Sequence, residues 1–156
     1  MRLSKNFVLS EITRSNTAKR LGISNEPEKK HLENLQRIVT NLLQPMRDHL
    51  GPIRISSGYR NKELNRAIGG SSRSQHCKGE ALDLQFWKEG QMCNQEIYNW
   101  IIGSNLEFDQ MINEFDYSWI HISYNPKKNR KQVLEAYKDD NNKTKYREVQ
   151  TNFEGL

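Results

Sequence analysis

Two histidines and one aspartate form the most informative pattern in this sequence. His76 and Asp83 lie seven residues apart, with a glycine and an alanine between them, and His121 follows about forty residues later. Two imidazoles and one carboxylate are a ligand set that catalytic zinc sites use, with water in the fourth position. Single histidines and aspartates on strands are more commonly hydrogen-bonded surface groups. The spacing alone therefore indicates a candidate zinc site and leaves the surface interpretation open.

Two predicted strands carry Asp83 and His121. In residues 81–86 and 119–124 apolar side chains alternate with other side chains, which is typical of a half-buried strand. The alternation directs Asp83 and His121 away from the apolar face of each strand. His76 lies on the loop before the first strand, and Gly79 allows that loop to turn tightly. Rigid strands suit a metal centre because its ligands need fixed positions.

The remaining elements predict one α+β domain over residues 1–156. Apolar residues between Leu32 and Met46 recur at helical spacing, so we expect a long amphipathic helix with a kink or restart at Pro45 and an end at Gly51. The predicted architecture is a small antiparallel sheet with the N-terminal helices packed on it. Its parts are a helical segment, a metal-site core and a tail with a polar hairpin, at residues 1–50, 51–124 and 125–156.

The net charge of +5 allows three interpretations. They are nucleic-acid binding, association with an anionic surface such as a bacterial cell wall, and solubility alone. Lysines and arginines are scattered, and only residues 127–131 form a cluster, without an aromatic-rich RNA-binding signature. We therefore expect no nucleic-acid partner.

The sequence also bears on localisation. The N-terminus lacks the apolar core of a signal peptide, and no apolar run approaches the roughly 18 residues of a membrane helix. Cys77 and Cys93 form neither a CxxC pair nor a disulfide framework. We therefore expect a protein that is made in a cytoplasm and does not insert into a membrane.

The motifs resemble the zinc-ligand signature of the M15 peptidases. The matching pattern is Ser74-x-His76-x-x-Gly79-x-Ala81-x-Asp83, followed by Trp119-x-His121. The family comprises D-Ala-D-Ala carboxypeptidases, D,D-dipeptidases and phage L-alanyl-D-glutamate endolysins, and Hedgehog signalling domains are fold relatives. Ser-Ser-Gly-Tyr-Arg at residues 56–60 is similar to the branch of small phage and bacterial peptidases. The resemblance extends over residues 3–124.

The resemblance implies roles for five residues. His76, Asp83 and His121 are expected to bind one Zn²⁺, which lowers the pKa of its bound water towards 7. Arg60 is expected to contact the substrate or transition state, because a guanidinium can pair with a carboxylate or an oxyanion. The alternative for Arg60 is a structural salt bridge. Ser74 is expected to bind substrate or a ligand, with a simple loop cap as its alternative.

The general base departs from part of the family pattern. Several M15 enzymes carry an acidic residue three positions before the last histidine, but Ser118 stands there in this chain. Glu114 and Asp116 are the nearest upstream carboxylates. Glu114 ends a predicted strand that should pair with the strand of His121, whereas Asp116 lies in the turn. We therefore favour Glu114 as the catalytic base.

The resemblance predicts a monomeric zinc-dependent peptidase that acts on the stem peptides of bacterial peptidoglycan. The expected bond involves a D-amino acid or the L-Ala–D-Glu link. The expected setting is a phage endolysin, present in the host cytoplasm and released by a holin, or a lysin carried by the virion. The alternative is a cell-wall binding module that retains zinc without turnover. A carboxylate within reach of the metal distinguishes the enzyme from this module.

Overall fold

Helices occupy the N-terminal third of the chain, as the apolar spacing predicts. The computed structural model describes residues 1–151, so residues 152–156 of the predicted tail lie outside the described part. The N-terminal helices are α1 (Leu9–Thr13), α2 (Asn16–Leu21), α3 (Lys29–Ile38) and α4 (Gln44–Leu50). A π-helical turn, Val39–Leu43, joins α3 to α4.

The predicted long helix is present with one interruption. Pro45 lies in the first turn of α4, where its missing N–H disrupts the α-helical hydrogen-bond pattern least. The wider π turn comes directly before it, so the interruption lies upstream of the proline. Gly51 ends α4 with a φ of 90°, as expected for a helix stop that favours glycine.

The rest of the described chain alternates strands with short helices. The strands of the main sheet are β1 (Arg54–Ser57), β2 (Ala81–Gln85), β5 (Gln110–Glu114), β6 (Trp119–Ser123), β7 (Gln132–Lys138) and β8 (Thr144–Glu148). A separate two-stranded hairpin contains β3 (Trp87–Lys88) and β4 (Gln91–Met92). The remaining helices are α5 (Lys62–Ala67), a 3₁₀ helix (Gln75–Lys78) and α6 (Asn94–Ile102).

The six-stranded sheet has the order β1-β2-β6-β5-β7-β8 and is mixed. Its neighbouring strands are antiparallel except for β5 and β7, which run parallel, whereas the sequence predicted an antiparallel sheet. The connection from β6 to β7 explains the parallel pairing of β5 with β7. The N–H of Asp109 donates to the Ser123 carbonyl at 2.9 Å, so β6 ends where β5 begins. After residues 124–131, β7 starts beside Gln110 and must run in the direction of β5.

One face of the sheet packs on the helices and the other carries the candidate site. Side chains buried on the packed face include Leu82, Leu84, Ile120 and Ile122. Alternation therefore places Asp83 and His121 on the opposite face. No helix within residues 1–151 is long and apolar enough to cross a membrane.

The polar hairpin predicted in the tail is present as β7 and β8. It does not stand apart from the core, because residues 132–136 of β7 pair with the whole of β5. The hairpin therefore extends the sheet that carries the candidate site.

Candidate metal centre

His76 lies in the 3₁₀ helix rather than in an irregular loop. The Ser74 hydroxyl caps this helix and accepts a hydrogen bond from the His76 N–H at 3.2 Å. Gly79 ends the helix with a φ of 73°, and a Cβ atom there would lie 2.5 Å from the His31 carbonyl oxygen. The turn predicted at Gly79 is thus present, and glycine is required by both conformation and space.

The three predicted ligands meet at one point of the sheet. Asp83 and His121 stand directly opposite each other in the β2–β6 register. Asp83 Oδ1 lies 3.2 Å from His76 Nε2 and 3.0 Å from His121 Nδ1. One ligand atom from each residue falls within 4.8 Å of the others, which is close enough for a single metal ion.

Backbone and side-chain acceptors orient the two imidazoles. His76 Nδ1 lies 2.7 Å from the Gly58 carbonyl oxygen, which can only accept, so Nδ1 carries the proton. His121 Nε2 lies 3.4 Å from Gln75 Oε1 in a longer contact. In their neutral forms, His76 then presents the Nε2 lone pair and His121 the Nδ1 lone pair, both beside Asp83. This donor set fits Zn²⁺, and the orienting contacts match those of metal-binding histidines.

Asp83 is held in its ionised form. Burial alone raises the pKa of its carboxyl group, but in the metal-free protein with both imidazoles protonated, the charge of His76 and hydrogen bonds from His121 and His76 outweigh it. The pKa of Asp83 therefore lies well below its usual range. A carboxylate that is already deprotonated needs to lose no proton before it binds a cation.

A second layer of contacts reaches behind His121. Gln75 faces His121 and also lies close to the side chain of Asp109. Asp109 is buried and accepts from Arg130 Nε at 2.9 Å and from Arg130 Nη2 at 3.0 Å. Hydrogen bonds from Arg130 are the largest cause that lowers the pKa of Asp109. Gln75 thus connects a metal-site histidine to a fixed ion pair.

The three side chains open onto a cleft of about 560 Å³. Its walls are mostly polar, and they include the predicted functional residues outside the cluster. Beyond the cluster, the lining residues include Arg60, Arg73, Ser74, Gln75, Glu114, Trp119, Thr144 and Tyr146. A larger cleft of about 1030 Å³ lies beside α1, α2 and β1, and it shares Arg60 but none of the three clustered residues. The chemistry therefore belongs to the smaller cleft.

Arg60 lies at the β1 side of this cleft, and not all of its hydrogen-bond donors have a partner among the described residues. Its Nη2 atom donates to Ser74 Oγ at 3.2 Å, while its buried Nε atom has no hydrogen-bond partner among the described residues. Burial lowers the pKa of Arg60. The structural salt bridge considered for Arg60 is not found within residues 1–151. Ser74 supplies the cap considered for it and also holds Arg60.

Glu114 lies at the other side of the cluster. It is 8% exposed at the end of β5 and lines the cleft with His121. Burial raises the pKa of Glu114, the nearby His121 lowers it and Asp83 raises it, with a net increase. Asp116 is exposed in the following turn, at a φ of 54°, and does not line the cleft. Of the two carboxylates that the sequence left as alternatives, Glu114 lines the cleft and Asp116 does not.

Some contributors could not be found from the sequence pattern. Gly58 acts through its carbonyl oxygen, a group that every residue has. Gln75 lies beside His76, but its orientation towards His121 depends on the 3₁₀ helix. Thr144 and Tyr146 belong to the hairpin, whose position beside the site depends on the order of the strands.

Comparison with known proteins agrees with this geometry. Residues 5–123 match the family described as peptidase M15. No individual curated protein matches the chain. The matched segment contains the three clustered residues together with Arg60 and Glu114, and it stops before β7. Since the match covers most of the sequence, the chain belongs to the peptidase M15 family of zinc-dependent metallopeptidases.

Proposed function

We propose that this protein is a zinc-dependent peptidase that hydrolyses a stem-peptide bond of bacterial peptidoglycan, next to a D-amino acid or at the L-Ala–D-Glu link. The observation that carries the proposal is the position of Glu114 and Arg60 on opposite sides of the three-residue cluster, in one cleft. The family supports the reaction class, and the guanidinium groups of Arg60 and Arg73 in the cleft support a peptide substrate with acidic groups.

His76, Asp83 and His121 are the residues that hold the metal in this proposal. Bound zinc supplies a water of lowered pKa and polarises the carbonyl group of the cleaved bond. The contacts from Gly58 and Gln75 keep both imidazoles turned towards Asp83. The chain thus fixes its ligands before any metal arrives.

Glu114 is the proposed general base. A carboxylate in this position can take a proton from water and return it to the leaving amine. Its burial favours the protonated form, so the side chain holds a proton more readily than an exposed glutamate does. The side chain of Asp116 is exposed to solvent and does not line the cleft, so we do not assign it this role.

Arg60 is the proposed partner of a substrate carboxylate or of the developing oxyanion. Its Nη2 atom donates to Ser74, and its remaining Nη hydrogens can donate to an acceptor in the cleft. Arg73 adds a second guanidinium to the same cleft. Stem peptides carry free carboxylates, which these cations can pair with. Ser74 positions Arg60, and its direct contact with substrate stays a prediction.

Digestion of purified peptidoglycan tests the proposed function. We expect new amine and carboxylate ends, with the cleaved bond identified by mass spectrometry of the fragments. A chelator should abolish cleavage and added zinc should restore it. Casein serves as the control, because an ordinary L-peptide protein should be cut slowly or not at all. Hydrolysis of casein together with intact peptidoglycan would contradict the proposed substrate.

The zinc-retaining binding module is the competing proposal. It predicts that the protein binds peptidoglycan in a pull-down but releases no fragment, even with saturating zinc. The buried Glu114 in the cleft favours the enzyme. Fragment analysis also distinguishes an endopeptidase from a carboxypeptidase. The role as a phage endolysin or virion lysin stays a prediction.

Nucleic-acid binding receives little support from the charge distribution. Within the basic cluster at residues 127–131, Arg130 pairs with Asp109 and Lys131 lies 3.5 Å from Glu107. These contacts leave fewer cations available for phosphates. Binding to nucleic acid would weaken steeply with salt and would be unaffected by a chelator.

A further inference from the structure

A row of three residues connects the general base proposed above to the outer edge of the sheet. Glu114 on β5 is paired with Ala136 on β7, and Ala136 is paired with Tyr146 on β8. Paired residues on neighbouring strands point to the same face of a sheet. The side chains of Glu114, Ala136 and Tyr146 therefore all point to the face that carries the metal cluster.

Ala136 leaves space in the middle of this row. Its side chain is a single methyl group and is almost fully buried. A phenol is long enough to lean across such a small neighbour, since diagonal and second neighbours on a sheet lie within reach of aromatic rings. Consistent with that arrangement, Tyr146 lines the same cleft as Glu114, and the negative charge of Glu114 contributes to a raised pKa of Tyr146, second to burial.

Tyr146 is nonetheless 56% exposed. It is one of few large apolar side chains that face solvent in the described part of the chain, and it belongs to a strand whose residues are all exposed. Thr144, two residues earlier on the same face, also lines the cleft. The Tyr146 ring and the Thr144 side chain thus line the cleft without being part of the hydrophobic core.

We propose that the hairpin β7–β8 is a substrate-binding wall of the cleft and that Tyr146 is its main contact with the peptide. The inference rests on the proposed function, because its ligand is the same stem peptide. It adds a specificity element that lies outside residues 5–123, the segment that matches the family. The wall is therefore a feature of this chain beyond the shared metal-site core.

Strand spacing gives the length of substrate that such a wall can reach. Neighbouring strands lie roughly 4.8 Å apart, and Ala136 lies two residues along β7 from Leu134, the residue level with His121, so the diagonal from His121 to Ala136 covers roughly 12 Å. An extended peptide rises roughly 3.3 Å per residue, so about three to four residues cover this distance. A stem peptide that extends this far from the cleaved bond contacts Tyr146, and a dipeptide held at the metal does not.

Steady-state kinetics with two substrates tests the wall. One substrate is an intact stem peptide, and the other is the same peptide shortened to one residue on each side of the cleaved bond. We expect Tyr146→Ala to raise KM for the intact peptide about two- to tenfold, the scale of one aromatic contact, with kcat nearly unchanged. KM for the short peptide should not change. Tyr146→Phe, which keeps the ring, should retain most of the binding.

Tyr137→Ala is the matched control on the same hairpin. Tyr137 is adjacent to Ala136 and so points to the other face, where it packs against the Arg147 guanidinium at 4.1 Å. Its loss should leave both KM values unchanged. An equal rise in KM for Tyr137→Ala and Tyr146→Ala would assign the effect to hairpin stability and overturn the inference.

A binding measurement separates this inference from the proposed function. Calorimetric titration of the intact stem peptide into a Glu114→Gln protein, with and without Tyr146→Ala, measures affinity without turnover. Weaker binding in the double variant supports the wall. Equal binding overturns the wall and leaves the peptidase proposal standing. Failure of the unaltered protein to bind or cleave any stem peptide overturns the proposed function and, with it, this inference.

Discussion

The Gly58 carbonyl oxygen lies 2.7 Å from Nδ1 of His76, and this contact selects the imidazole nitrogen that can bind a metal. Since a carbonyl cannot donate, the proton stays on Nδ1 and the lone pair stays on Nε2. Gly58, which directly follows β1, therefore orients His76 on the 3₁₀ helix.

We predict one zinc ion per chain. Elemental analysis of protein purified without added metal should give about one equivalent, because two imidazoles and a carboxylate converge within 4.8 Å. A His76→Ala, His121→Ala double variant should lose the metal. His49→Ala, which changes an exposed histidine outside the cluster, is the control and should retain it. Full occupancy in the double variant would refute the ligand assignment.

Gln75 is predicted to tune the affinity for zinc through His121. Removing a partner that orients a metal-binding histidine commonly costs about 10- to 100-fold in metal affinity. Gln75→Ala should weaken zinc binding on that scale, measured by competition with a chelator of known affinity. Thermal stability of the metal-free protein should change little, because Gln75 is only partly buried. Unchanged zinc affinity would show that the 3.4 Å contact does not orient His121.

Glu114→Gln is predicted to slow hydrolysis about a hundred- to ten-thousand-fold, the usual contribution of general acid–base catalysis. The amide keeps the shape and the hydrogen-bonding reach of the side chain but cannot accept the proton of water. Zinc content should stay the same, since Glu114 is outside the ligand cluster. Asp116→Asn is the paired control and should be nearly silent. An inactive Asp116→Asn with an active Glu114→Gln would transfer the role to Asp116.

The raised pKa of Glu114 predicts how stability depends on pH in the metal-free protein. The folded state holds this proton more tightly than the unfolded chain, whose ordinary value is 4.5. The charged carboxylate therefore costs stability above that pH, and the cost is absent well below it. With chelator present, Glu114→Gln should melt at a higher temperature than the unaltered protein at pH 7, and the gap should close near pH 4. A gap that widens on acidification would reverse the assigned direction.

Gly58→Ala is predicted to damage both the fold and the site. A Cβ atom at this position would lie 2.3 Å from the Ile12 carbonyl oxygen, so α1 or β1 must move. We expect the free energy of unfolding to fall by about 1–3 kcal/mol, as for other overpacked positions, together with weaker zinc binding. Gly103→Ala is the control, because its nearest atom outside the chain neighbours lies at 3.6 Å. Denaturant unfolding and a zinc titration measure the two effects.

The types and spacing of His76, Asp83 and His121 predicted that these three residues form one candidate metal site, and the structure brings them together. Alternation in β2 and β6 also predicted which side chains leave the apolar face. The orienting contacts could not be predicted in the same way. A backbone carbonyl at Gly58 has no signature in side-chain type, and the direction of Gln75 depends on one turn of 3₁₀ helix.

The parts of the fold that the sequence did not predict are long-range. Pro45 and Gly51 are local signals, and both lie where a helix starts and ends. The parallel pairing of β5 with β7 depends on where residues 124–131 cross the sheet, which no local pattern encodes. Because that pairing places the hairpin beside Glu114, the sequence pattern could not predict which residues form this wall of the cleft.

The direct pairing of Asp83 with His121 also bears on the order of folding events. These residues are 38 positions apart, whereas β5–β6 and β7–β8 are joined by short turns. Closing the longer loop costs more chain entropy, so we expect the β2–β6 pairing to form after the local hairpins. Metal affinity would then appear only once this late pairing is complete. A time-resolved zinc-binding signal during refolding would report arrival at the native topology rather than early collapse.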